Sequence, residues 1–204
     1  AFHDQFKFDQ ALNSFNMALS LKFVTADVYY NMGRTFKYLG KLEEAIEACN
    51  KSISLDANHV EAHQSLCYSL IQKGKLKEGF EEYEWRWKTQ IQLGHQRHFS
   101  QPLWDGKKSL KGKRILIWSE QGIGDTIMWS SRLSLLTSKA DHCIFECQEK
   151  LVPLLKRSFP NVEVKPQNRS FDLERDDFDY HLPMGNLYKH FIEDILQNTK
   201  AGTH

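Results

Sequence analysis

Over residues 1–90, apolar positions keep returning at the three- and four-residue spacing of an amphipathic helix, with short polar breaks between the runs. The pattern predicts helices at about 8–21, 26–39, 43–55, 60–73 and 77–89, with edges good to about three residues. From Lys88 to Lys113 the periodicity disappears. Gly94, Pro102 and Gly106 interrupt the chain there, and it closes on the basic run Gly106-Lys-Lys-Ser-Leu-Lys-Gly-Lys113. Beyond it, Ile115–Trp118, Cys143–Cys147, Asn161–Lys165 and Tyr180–Pro183 read as strands. Helical spacing lies between and after them, at about 125–138, 150–157 and 186–197. Strands separated by such helices imply right-handed crossovers and a parallel sheet. The fold class expected is α followed by α/β: a helical domain over 1–90, a linker over 91–112 and a parallel-sheet lobe over 113–204.

Shifted by about 34 residues, the helical half matches itself. Tyr29, Met32, Gly33, Phe36, Gly40, Leu42, Ala45, Cys49 and Ser52 have counterparts one period later in His63, Leu66, Cys67, Leu70, Gly74, Leu76, Gly79, Tyr83 and Arg86. Phe8, Ala11, Phe15 and Ala18 continue the series backwards, so the first repeat is partial. Small residues let paired helices approach, and aromatic residues fill the space between pairs. This segment is identified as tetratricopeptide repeat, with Cys67 and Gly79 departing from the usual glycine and alanine. The resemblance implies that the first helix of each repeat lines a concave groove for an extended peptide or protein partner. The groove residues would be Asp27, Tyr30, Asn31, Arg34, Lys37 and Tyr38, then Glu61, Gln64, Ser65, Tyr68 and Gln72. An asparagine such as Asn31 can offer a peptide backbone both donor and acceptor, and O-GlcNAc transferase superhelices resemble this with ladders of asparagines. The same face also suits a spacer with a polar inner wall.

Charge narrows the classes of function. The net charge is +1, with acidic and basic residues interleaved, so no basic face announces nucleic acid. No apolar run is long enough to span a bilayer and no leader is visible, which points to a cytoplasmic protein without a membrane span. Cys49, Cys67, Cys143 and Cys147 fall inside regular elements, as reduced buried cysteines do. His59 with His63, His95 with His98, and Cys143 with Cys147 lack further ligands at useful spacing, so no metal and no cofactor is expected. A Trp beside Pro in the linker, Trp104, should pack against something, and Glu84-Trp-Arg-Trp87 offers a surface for docking the two domains.

The stretch Arg114-Ile-Leu-Ile-Trp-Ser-Glu-Gln-Gly-Ile-Gly-Asp125 is the most informative for chemistry. A buried strand runs into a glycine turn, and Asp125-Thr126 reads as the cap of the next helix, placing free N–H groups at the carboxyl edge of the sheet. Gly122-x-Gly124 after a strand, with Glu146 as a ribose acid, fits dinucleotide binding in outline. It fails in detail: Ile127 holds the third glycine position and Asp125 intrudes where a pyrophosphate would sit. Glu120-Gln-Gly-Ile-Gly-Asp125 stands behind Pro102-Leu-Trp-Asp-Gly106 and repeats ending in Glu-Tyr-Glu-Trp-Arg-Trp87. Together with Glu146–Leu155 and Phe178–Leu187, this resembles bacterial repeat-containing glycosyltransferase-like proteins. The turn itself resembles that of the heptosyltransferases. The resemblance implies a GT-B architecture, of which this chain would hold the Rossmann-like acceptor lobe. Nucleotide-sugar would bind only with a C-terminal lobe beyond the chain, so the chain reads as a fragment inactive by itself. Asp125 would be the general base that takes the acceptor's proton, a role compatible with capping. Glu120 and Gln121 would bind acceptor hydroxyls or brace the turn, Gly122 and Gly124 would donate N–H groups, and His181 would face the same edge. A non-catalytic interaction scaffold is the alternative.

Overall fold

The computed structural model describes residues 7–89, 94–168 and 172–201, the last four of these by backbone only. Internal contacts divide the chain into two compact units, Ala1–Thr89 and Gln90–His204.

The regular elements described in the first unit are all helical. It runs α1 (Phe8–Ser20), α2 (Ala26–Tyr38), α3 (Leu42–Leu55), α4 (Val60–Gln72) and α5 (Leu76–Glu82), closed by a 3-10 turn over Tyr83–Lys88. Thr25 caps α2 by accepting the Val28 N–H at 3.3 Å, and His59 caps α4 by accepting the Ala62 N–H through Nδ1 at 3.2 Å. Helices α2 and α3 touch at Gly33, where a Cβ would come within 2.7 Å of Cys49 Sγ and 3.2 Å of the Ala45 carbonyl. The Ser52 hydroxyl clamps the far end of the pair by donating to the Ala26 carbonyl at 2.8 Å. Cys49, Leu66 and Leu70 form a buried cluster with Ile46 and Ile53 against it. The fifth α-helix is shorter than its periodicity predicts. After Glu82 the chain tightens because Arg86, 3% exposed, lies over the rings of Tyr83 and Trp87, while Trp85 stacks on His63 at 3.5 Å.

The second unit is a four-stranded parallel sheet, β1 (Arg114–Trp118), β2 (His142–Cys147), β3 (Glu163–Pro166) and β4 (Tyr180–Pro183), in the order β3-β2-β1-β4. Ile115, Leu116, Ile117, Ile144, Phe145 and Leu182 are almost fully buried, as expected of parallel strands covered on both faces. The covering helices are α6 (Ile123–Ser130), α7 (Leu133–Thr137), α8 (Val152–Ser158) and α9 (Asn186–Ala201), the last kinked at Phe191. One continuous helix at about 125–138 is the sequence expectation, and two short ones are found. The Ser130 and Ser131 hydroxyls each donate to the carbonyl three residues back, at 2.8 Å, and compete with the helix ladder there. Residues 102–104 lie along β4: the His181 N–H donates to Pro102 and the Trp104 N–H to the His181 carbonyl. Trp104 is 3% exposed and finds its ring partners, His190 and Phe191, within its own unit. The connections diverge between β1 and β4, so the switch point of this sheet lies at their carboxyl ends.

Candidate functional site

The residues singled out in the sequence fall in two places, one in each unit. In the helical unit, Tyr30, Arg34 and Lys37 follow one another at helical spacing along one face of α2. The Arg34 guanidinium lies 5.6 Å from the Tyr30 ring centre, and the Lys37 ammonium sits 5.6 Å from Tyr38 and 5.5 Å from Tyr68 of α4. Such contacts hold a cation in place, and Arg34 also hydrogen-bonds the Tyr30 hydroxyl. Burial pushes the Tyr30 phenol pKa up against the opposing pull of Arg34, so the hydroxyl remains a donor. Tyr30 also leans on His59 at 5.0 Å, and His59 Nε2 meets Asp27 at 3.1 Å. Tyr30, Arg34, Lys37 and Tyr68 are thus gathered across two successive repeats. Asn31 donates one amide N–H to the Asp27 carbonyl of its own helix at 2.8 Å, leaving its second N–H and its oxygen for outward bonding. Gln64 and Gln72 stand on α4, half-buried and exposed respectively.

In the sheet unit, the carboxyl edge is stitched by its own loops. The Ser119 N–H donates to the Glu146 carbonyl at 2.9 Å, Gln167 donates to the Ser119 carbonyl, and Gln148 donates to the Gln121 carbonyl at 2.7 Å. Gly122, not Asp125, is the N-cap of α6, so the helix starts about a turn earlier than the Asp125-Thr126 reading expects. The reason is that Thr126 returns both its N–H and its hydroxyl to the Gly122 carbonyl at 3.0 Å, drawing the glycine turn into the first helical turn. Asp125 is therefore the third helical residue, half-exposed, with Oδ2 3.4 Å from where a Gly122 Cβ would stand. Gly122 and Gly124 are exposed beside it, and Gln121 is half-exposed.

Two residues expected at this edge lie inside instead. Glu120 is 2% exposed. His181 is in the body of β4, paired with Leu116, and its Nδ1 accepts the Trp118 indole N–H at 3.3 Å. Its ring packs 4.7 Å from Phe99. Burial, with Arg97 nearby and against the pull of Asp172, pushes the imidazole down to about 4, so it is neutral at pH 7. Of the residues expected at the edge, Gln121, Gly122, Gly124 and Asp125 reach its surface.

Glu146, the residue that a dinucleotide would need for its ribose, is engaged elsewhere. Arg97 NH1 donates to its Oε2 at 2.6 Å, and Arg175 donates to its Oε1. Arg97 also grips Asp172 with two N–H groups, at 2.8 and 2.5 Å, and donates to the Asn168 carbonyl at 3.0 Å. Arg175 in turn holds Asp177 with two bonds of 2.8 Å, keeping that carboxyl below its usual range. This chain of charges was not visible in the sequence, where Arg97 falls in an aperiodic segment and Asp172 to Asp177 in a polar one. A cleft of about 370 Å³ opens beside it, lined by Glu146, Lys165, Pro166, Asn168, Arg175 and Asp177. Its acidic and basic groups are already paired with one another, so it is built as a brace.

All four cysteines are buried thiols, and burial pushes Cys67 up to about 12 and Cys143 and Cys147 up to about 11. Among the described residues, no three His, Cys, Asp or Glu side chains are grouped to hold a metal ion, and no helix is long and apolar enough to cross a membrane.

Comparison with known proteins gives one curated relative that extends beyond the helical unit, and a family match within that unit. Protein FlbA of Caulobacter vibrioides is 27% identical over 156 residues, which are 74% of this chain and 26% of FlbA. The chain thus spans about a quarter of the length of that curated relative. Among solved structures, MamA aligns at 26% identity over 43% of this chain and 48% of its own, with a TM-score of 0.40. The second TPR of Spaghetti (RPAP3) bound to HSP90 peptide SRMEEVD aligns at 23% identity over 41% of this chain and 78% of its own, also at 0.40. Residues 26–59 match the tetratricopeptide repeat family. The molecule is a set of tetratricopeptide helical repeats followed by a small parallel four-stranded sheet, and such repeats point to protein–protein interaction.

Proposed function

We propose that this chain is an interaction scaffold whose repeats hold an extended, acidic segment of a protein partner along α2 and α4. One observation carries the reading: Arg34 and Lys37 are held over Tyr30, Tyr38 and Tyr68, on a face shared by two successive repeats. Cations held in place by ring faces suit carboxylates, and the tyrosine rings suit the apolar stems between them. The test is anisotropy titration with fluorescent peptides of acidic, neutral and basic sequence. Acidic peptides should bind best, and Lys37→Ala combined with Arg34→Ala should weaken them by roughly tenfold or more while leaving the melting temperature nearly unchanged. Equal affinity for all three peptide classes would sink the acidic-segment reading.

A second reading, sugar transfer, is favoured by one feature of the other unit. Asp125 is half-exposed at the carboxyl edge, and Gly122 takes the N-cap position that would otherwise occupy it. In a longer protein that supplies a nucleotide-sugar lobe, Asp125 would accept the proton of the attacking hydroxyl. Asp125→Asn assayed in that longer protein should then lose about 10²–10⁴-fold in transfer with donor binding intact. Transfer surviving within a few-fold would remove Asp125 from catalysis.

A further inference from the structure

The basic run at 106–113 belongs neither to the repeat groove nor to the carboxyl edge. Part of it forms one wall of a pocket of about 320 Å³ in the sheet unit, lined by Trp104, Gly106, Lys107, Lys108, Ser109, Leu110, Lys139, His190 and Phe191. Three lysines from two separate segments meet there. Lys139 follows α7, immediately before β2, and Lys107 and Lys108 precede β1, so the pocket lies toward the amino-terminal side of the sheet, away from the glycine turn.

The loop carrying Lys107 and Lys108 is held in shape from three directions. Asp105 accepts the N–H groups of both lysines at 2.9 Å, which uses its carboxylate inside the loop and lowers its pKa. The Trp104 indole donates to the Lys108 carbonyl at 2.9 Å. Gly106 has φ +77°, and a Cβ there would meet His190 Nδ1 at 2.3 Å, so only glycine allows the loop to press on α9. Lys108 is within electrostatic reach of the Asp105 carboxylate, and Lys139 has an acidic neighbour on α9. Lys108 lies 6.0 Å from the Tyr180 ring, and Lys139 is 5.0 Å from the Phe191 ring and 3.5 Å from Asp194, which is itself half in solvent. A concavity lined by three lysines, one serine and one histidine suits an oxyanion, and Leu110 and Phe191 give a carbon skeleton an apolar surface.

We propose that this pocket binds a phosphate group, free or as the monoester of a small molecule, with Lys107, Lys108 and Lys139 supplying the charge and Ser109 a hydrogen bond. The full chain would be titrated with inorganic phosphate and with ribose 5-phosphate at constant ionic strength, reading the amide shifts of Gly106 to Leu110 and the His190 ring by NMR. Saturable shifts confined to those residues are expected. A tighter dissociation constant for the ester would assign the natural ligand to phosphomonoesters, and equal constants would assign it to free phosphate. Lys107→Ala with Lys139→Ala should weaken binding by about tenfold or more, whereas Lys150→Ala with Lys156→Ala, lysines on the same unit outside the pocket, should not. The proposal is overturned by shifts that do not saturate, by shifts spread over the surface, or by equal weakening in the two double variants, each of which marks general charge attraction.

Discussion

Burial of His181 turns a strand residue into a pH-sensitive stability element. Folding holds its imidazole at about 4 through burial and the nearby Arg97 guanidinium, against the pull of Asp172, whereas the unfolded chain returns it to about 6.5. Between those values the unfolded state binds more protons, so the contribution is complete above pH 6.5 and is lost as pH falls toward 4. The loss should be on the order of 2–3 kcal/mol. Urea unfolding of the sheet unit at pH 7.5 and 4.5 checks this, with His181→Gln as the reference, because glutamine retains an acceptor for the Trp118 indole. An equal fall in parent and variant would place the acid sensitivity elsewhere. The position of His181 on a strand was legible from the apolar run Tyr180–Pro183. Its burial was not, because Arg97 and Phe99, which cover it, come from a segment without periodicity.

The helical pairs solve one packing problem in two ways. In the α2–α3 pair the glycine is Gly33 and its partner position is Ala45; one period later the positions hold Cys67 and Gly79, so the small residue has moved to the opposite helix. At Gly79 a Cβ would meet Ile71 Cγ1 at 2.6 Å and the Ile71 backbone nitrogen at 3.2 Å. Gly79→Ala should therefore cost about 1–3 kcal/mol through overpacking. Adding Cys67→Gly recreates the Gly33–Ala45 arrangement, and the double variant should be more stable than the sum of the two single changes by at least about 0.5 kcal/mol. Thermal melts of the four proteins decide it, and strict additivity would make the exchange a coincidence. The repeat period carried this much in the sequence because each pair is made by neighbours in the chain. What it did not carry is where helices stop early. The Ser130-Ser131 break depends on hydroxyls turning back on the backbone, and the 3-10 turn at Tyr83–Lys88 on the stack of Trp85 against His63.

At the scale of the molecule the two units are held by different kinds of interaction, and that difference decides what could be read in advance. The helical unit rests on short-range repeats, so its period exposes it. The sheet unit adds a buried ionic brace whose members are far apart in sequence: Arg97 reaches Asp172 across 75 positions and Glu146 across 49. Hydrophobic patterning has no term for such pairs, and the aperiodic segment around Arg97 read as linker when its arginine is fully buried. Removing one partner of a buried network leaves the others charged and unpaired, which costs far more than the net worth of the network. Arg97→Met should strand Asp172, of whose side chain only 11% is exposed, leave Glu146 to Arg175 alone, and destabilise the sheet unit by about 3–5 kcal/mol. Arg175→Met should cost less, because Arg175 is itself partly in solvent and its second partner, Asp177, is more than a third exposed. Since the repeats have their own core, acidic-peptide affinity should survive both changes under conditions where the sheet unit has begun to unfold. Chemical denaturation followed by hydrogen exchange in β1 and β2, run beside the peptide titration, reads the two units separately. If Arg97→Met leaves strand protection as in the parent, the brace is ornamental and the sheet stands on its apolar core alone.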